Sequence, residues 1–225
     1  MNRNAQAVVL AALGALTLRI GVTDEHTRYV NEAMRWPLVV SGVLMLLLAL
    51  GRVLDRADDG ERATPAVWVL LLPVVVGLAV QPAALGAYVA DRRVNDVSAQ
   101  QYDEPAVAPL PRDRTTDIGV AEFVSLAAGY GETLAGSEVR LVGFVTHDGG
   151  SWFLNRLTIR CCAADASAFR VRIDADEVPG DVPAERTWVR VVGRWVEGTG
   201  VDGADLPALK ASSVERVPAP RQQYE

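Results

Sequence analysis

Of the 225 residues only two are histidine and two cysteine, and the single lysine, Lys210, stands against twenty-one arginines. Two cysteines that are neighbours in sequence, Cys161 and Cys162, exclude a disulfide framework and a four-cysteine zinc site within one chain. With His26 and His147 as the whole histidine complement, acid–base catalysis would have to rest on carboxylates or on His147. No nucleophile elbow, Walker loop, Gly-rich dinucleotide fingerprint or His-Glu-x-x-His helix is present. The chain therefore reads as a non-enzyme. Basic charge is also lacking. Residues 1–90 balance seven Lys/Arg with seven Asp/Glu, so the net charge of −6 belongs to residues 91–225. An acidic domain lacks the positive field that nucleic-acid binding needs, and no nucleic-acid partner is expected.

What the sequence does have is apolar length. Three stretches read as membrane spans, at about residues 5–22, 37–54 and 66–90 within a transmembrane region 1–91. Arg19 near the end of the first can extend its head to the interface. Trp36, Trp68 and Tyr88 sit where interfacial aromatics anchor helices. Arg3 followed by an apolar run is also how a signal peptide begins, but no small-residue cleavage site follows Leu18. Arginine counts on the two sides nearly balance, and the free amino terminus tips the first span towards N-inside. Three spans then place the C-terminal domain outside the cell membrane. No Asp, Glu or Lys falls within a span, so the chain offers no ion path of its own. Small residues at Ala79, Ala83 and Ala87 give the third span a face for another helix, a sibling or a second membrane protein.

Residues 92–116 lose periodicity and gather Pro105, Pro109 and Pro111, a linker signature. Asp117 can cap a short amphipathic helix through Val120, Phe123, Val124 and Leu126 to Gly129. The period then switches to two. Strands are expected over 138–147, 152–160, 169–173, 188–196 and 209–217. Five strands of uneven length, with Gly143 inside the first, predict a five-stranded OB-like barrel over 117–220, leaving a tail at 221–225. An immunoglobulin-like sandwich, the competing all-β fold, would want more strands. Alternation places Arg170 and Arg172 on the solvent side, opposite Val171 and Ile173.

The segment Arg160-Cys161-Cys162-Ala163-Ala164-Asp165-Ala166 is the least ordinary one, and three chemistries are open to it. Cys161, Cys162 and Asp165, with His147 from the preceding strand end, offer sulfur, oxygen and nitrogen to zinc or another thiophilic ion. The adjacent cysteines can instead form a strained, reducible disulfide. Or they pack as small hydrophobes while Asp165 caps the local turn. Adjacent ligands do not have the two-residue spacing of a closed structural zinc site, which favours a shared, low-coordinate one. His26, in the first loop beside Asp24 and Glu25, is a candidate extra ligand.

The spans, the linker, Gly143-Phe144-Val145, Phe153-Leu154-x-Arg156-x-x-Ile159-x-Cys161-Cys162-Ala163-Ala164-Asp165-Ala166 and Trp188-Val189-Arg190-Val191-x-Gly193 together resemble the YcgQ-type family of permease-associated membrane proteins. The resemblance implies a subunit working beside a multi-span permease of the YcgR type, with a link to metal homeostasis and with Cys161, Cys162 and Asp165 at its signature position. The expected function is an accessory subunit of a membrane permease complex whose external barrel receives or senses a metal ion. The alternative is a membrane-anchored redox or scaffolding module.

Overall fold

The computed structural model describes residues 3–54, 66–79, 109–175, 178, 181–201 and 205–225. The chain divides into two compact units, Met1–Ala84 and Leu85–Glu225.

In the first unit, helices α1 (Arg3–Val22) and α2 (Arg35–Leu54) have no acidic residue and carry few polar ones. Twenty residues at 1.5 Å rise give each about 30 Å, the thickness of a bilayer core. The helical stretches Asn4–Val22 and Glu32–Leu54 are both long and apolar enough to cross a membrane. They pack where side chains are missing. A Cβ on Gly14 would lie 3.0 Å from the Gly42 carbonyl, and one on Gly42 2.9 Å from the Leu18 amide, so the backbones meet almost directly. The connection is ordered by caps: the Thr23 hydroxyl accepts from Glu25 N, and the Asn31 side chain accepts from Ala33 N. Arg19 pairs with Glu25 at 2.9 Å, and Arg35 donates to the Gly21 carbonyl.

The described residues do not show the expected third span. Helix α3 (Ala66–Val69) gives way to α4 (Leu72–Ala79). Pro73 explains the break, since its ring collides with the carbonyl four residues earlier, at Val69. Residues 80–90, with Pro82, Ala83, Ala87 and Tyr88, lie outside the described residues, as do linker residues 92–108.

The second unit is a mixed six-stranded sheet with one helix seated on it. Its strands are β1 (Thr116–Asp117), β2 (Glu138–Asp148), β3 (Ser151–Thr158), β4 (Ser167–Asp174), β5 (Trp188–Trp195) and β6 (Ala208–Arg216). The order is β1-β2-β3-β4-β6-β5, and β5 also pairs with β2. The β1–β2 and β4–β6 pairings are parallel and the others antiparallel. Helices α5 (Val120–Gly129) and α6 (Gly131–Leu134) lie between β1 and β2.

Period two fills the core. Val139, Leu141 and Val145 of β2, Phe169, Val171 and Ile173 of β4, and Val189 and Val191 of β5 are buried together with Val120, Phe123 and Val124 of α5. Each such side chain contributes about 1.5–3 kcal/mol through the apolar area it removes from water. A second cluster, Phe144, Leu157, Ile159, Ala166, Ala168 and Tyr224 with Trp188, lies apart from the first. Phe144 and Trp188 meet edge to face at 5.7 Å.

Three expectations are corrected here. Asp117 does not cap α5: it sits in β1, and its carboxylate takes the Arg140 guanidinium at 2.9 and 3.0 Å. The N-cap is Gly119, which makes no side-chain bond, and the Glu225 carboxylate accepts from Val120 N and Ala121 N. Arg170 does not face solvent. It is 7% exposed, stacked at 3.7 Å over the Phe153 ring, because both faces of this part of the sheet are covered. Residues 221–225 are not a loose tail, since Tyr224 bridges to Leu157 and is buried.

Gly143 and Gly193 mark where strands approach too closely for a side chain. A Cβ on Gly143 would lie 2.5 Å from the Asn155 carbonyl, and one on Gly193 would run into the Lys210 carbonyl at the β5–β6 bulge. Gly143→Val is expected to destabilise the second unit by about 2–3 kcal/mol. Gly51→Ala, where a Cβ meets nothing within 4 Å, should stay within about 1 kcal/mol of wild type. Denaturant unfolding of the detergent-solubilised chain measures both, and equal effects would refute the close-approach explanation.

Candidate metal site

Beyond β3 the chain turns through Arg160 and Cys161 into a single 3₁₀ turn, Ala163–Asp165, and re-enters the sheet as β4. The turn is organised by one carboxylate. Asp165 Oδ1 accepts from Arg160 N at 2.9 Å, while Oδ2 accepts from Cys161 N at 2.9 Å and Cys162 N at 3.3 Å. The Cys161 thiol donates to the same Oδ2 at 2.9 Å. An aspartate at this spacing can reach back to three amides because a 3₁₀ turn places them on its side. That is the turn-capping role weighed for Asp165 in the sequence.

Cys161 is exposed and Cys162 half-buried, and both are free thiols. The ligand atoms of Cys161, Cys162 and Asp165 all lie within 4.8 Å of one another. Two sulfurs on one tetrahedral zinc stand about 3.8 Å apart, given zinc–sulfur bonds of about 2.3 Å. The donors are thus close to the separation that one ion requires. Two sulfurs and one oxygen suit a thiophilic or borderline ion rather than magnesium or calcium. Three ligands from this chain leave a position for water or for a donor from elsewhere.

His147 is not brought to this cluster. It stands opposite Trp152 beside the β2–β3 hairpin, whereas Cys161 follows the other end of β3, roughly 20 Å away at about 3.3 Å per strand residue. Its Nδ1 lies 3.3 Å from Glu185 Oε2, and its amide donates to the same oxygen. His26 is 3% exposed in the first unit, with Nδ1 2.7 Å from the Thr23 carbonyl. Sequence reasoning missed the buried arginines. Arg156, 8% exposed, stacks at 4.9 Å over Trp188, and Arg170 over Phe153.

The hydrogen bond to Asp165 pushes the Cys161 thiol up to about 11, with smaller contributions from Cys162. For Asp165, desolvation opposes ionisation, but the bonds donated by the Cys161 thiol and the three amides outweigh it and hold the carboxyl down at about 2. The two shifts bracket one stable turn. The contribution of Cys161 is present below its ordinary value near 9 and lost as pH rises through about 11. That of Asp165 is present above its ordinary value near 4 and lost as pH falls through about 2.

A DUF1980 C-terminal domain is found at residues 116–225, so it includes the whole sheet and the cysteine turn. No curated protein matches the chain.

Since the thiolate is the nucleophile, alkylation of Cys161 by iodoacetamide at pH 8 should be slow for so exposed a cysteine. Asp165→Asn, which removes the charged acceptor, is expected to raise the rate at least about tenfold and to move its pH midpoint down. Rates read residue by residue by mass spectrometry check this, and an unchanged midpoint would show that Asp165 does not govern the thiol.

Proposed function

We propose that the protein is an accessory subunit of a membrane permease complex, in which an external OB-like barrel receives or senses a thiophilic metal ion through Cys161, Cys162 and Asp165. The observation that carries this reading is the convergence of those three ligand atoms within 4.8 Å on an exposed turn. Zinc is the ion that fits two sulfurs and a carboxylate with one position open. An open coordination position on an exposed turn suits an ion that is passed on rather than stored.

The anchoring part of the proposal rests on the helices Asn4–Val22 and Glu32–Leu54, with the stretch from Ala66 as the start of a third span. Three spans with an inside amino terminus put the barrel on the extracytoplasmic side. The barrel reading is supported by the strand ladder. From β2 the pairings run through β3, β4, β6 and β5 and back to β2, with β4 and β6 parallel, the order of a five-stranded Greek-key barrel. The permease partner, of the YcgR type, follows from the sequence resemblance, and the apolar surface of α2, including Val43, Leu47 and Leu54, is available to lipid or to that partner.

A second reading has its own observation: Asp165 is fully engaged in holding the turn, as a scaffold would require. Metal titration separates the two. The full chain in detergent, under reducing conditions, is expected to bind one zinc ion. Cys161→Ser/Cys162→Ser should abolish binding, Asp165→Ala should weaken it about tenfold or more, and His147→Ala should leave it unchanged. Binding that survives the double serine variant, or no binding at all, would leave the scaffold. Copurification of a multi-span permease with the tagged chain tests the partner.

A further inference from the structure

Strand β2 leaves β3 early. Its pairing with β3 covers Phe144↔Asn155 to Asp148↔Ser151, while residues 138–144 pair with β5. From Arg156 onward, the edge of β3 that faced β2 is therefore open to another strand. Residues 222–225 occupy that place. Tyr224 bridges to Leu157 in parallel, the Glu225 amide donates to the Leu157 carbonyl at 2.8 Å, and Arg156 Nη2 donates to the Gln222 carbonyl at 3.1 Å.

Three recognition elements converge on this short segment. The ladder takes its backbone. The pocket of Phe144, Leu157, Ile159, Ala166, Ala168 and Trp188 takes the Tyr224 ring, which is 2% exposed. The N-terminus of the ten-residue helix α5 takes the Glu225 carboxylate, Oε1 accepting from Val120 N and Oε2 from Ala121 N, both at 3.0 Å. Behind that carboxylate lies Arg156, buried, with Nε 3.6 Å from Oε1 and with Nε and Nη1 making no hydrogen bond. Gly119 completes the cradle: a Cβ there would stand 2.9 Å from Glu225 Oε2.

We propose that the open edge of β3 and the N-terminus of α5 form a binding site for an extended acidic peptide, an aromatic residue followed by a glutamate, which the chain fills with its own residues 222–225. Strand addition supplies affinity that depends little on sequence, and the aromatic pocket and anion cradle supply selectivity. Held on a short tether through Pro218 and Pro220, the internal segment acts at high effective concentration, so a peptide from a partner must compete with it. The site is separate from the cysteine turn and stands whether or not that turn binds metal.

The test opens the site without removing its parts. A protease site inserted between Val217 and Pro218 of the full chain is cut, and a fluorescent peptide of residues 218–225 is added. Saturable binding to the cut chain, and little to the uncut one, is expected. Glu225→Gln and Tyr224→Ala peptides should each bind about tenfold more weakly or worse. Absence of saturable binding by a cut chain that remains folded, or equal binding of all three peptides, would overturn the proposal. Should cutting unfold the chain, hydrogen exchange in uncut Gly119→Ala and Glu225→Gln variants decides. The Val120, Ala121 and Glu225 amides are then expected to exchange about tenfold faster, and unchanged exchange would overturn it.

Discussion

Strand β2 has to serve two neighbours, β5 along its first half and β3 along its second, and most of the second unit follows from that division. One strand can turn between two partners only if it bends sharply where they change. The bend falls at Gly143 and Phe144, where the glycine lets the β3 backbone approach to a distance that no side chain would allow. The bend passes β2 from β5 to β3, while β6 meets β4 in parallel and the core gathers Phe123 and Val124 of α5. It also leaves the later part of β3 without its antiparallel neighbour. The segment around Tyr224 fills the vacant edge, and the cysteine turn springs from the end of the same strand.

The elements whose causes are local were legible in the sequence. The two helices follow from runs of apolar residues, and the strands from 138 to 217 follow from alternation, with boundaries displaced by only a residue or two. Phe169, Val171 and Ile173 could be assigned to the core in this way. The same alternation misled for Arg170, because it assumes that one face of a strand is wet. Here the Phe153 ring covers the guanidinium, as Trp188 covers that of Arg156, and stacking replaces hydration. The cap of α5 misled for a related reason. Asp117 was the nearest acid, but β1 claims it for Arg140, and the acid that does the capping comes from 105 residues away. No window of sequence joins Glu225 to Val120. The candidate metal site divides in the same way. Asp165 lies three residues from Cys162, so their meeting is a property of the turn, whereas His147 would have needed strand register to bring it near, and register sends it to Glu185.

The Cys161–Asp165 hydrogen bond is where the structure of the turn meets its candidate ligand set. Asp165 has spent its inward capacity on three amides, so a ligand role that required it to swing away would dismantle the turn. The thiol shares Oδ2 with the amides of Cys161 and Cys162, and its bond ties the Cys161 side chain to the turn. Were a thiophilic ion held here, Cys161, Cys162 and Asp165 would be the residues to hold it, and the thiol proton would leave. A soft or borderline ion would gain strong bonds to sulfur in exchange for the thiol proton, and a hard ion would not. The bond that steadies the turn thus joins two of the three side chains that the proposed metal binding would use.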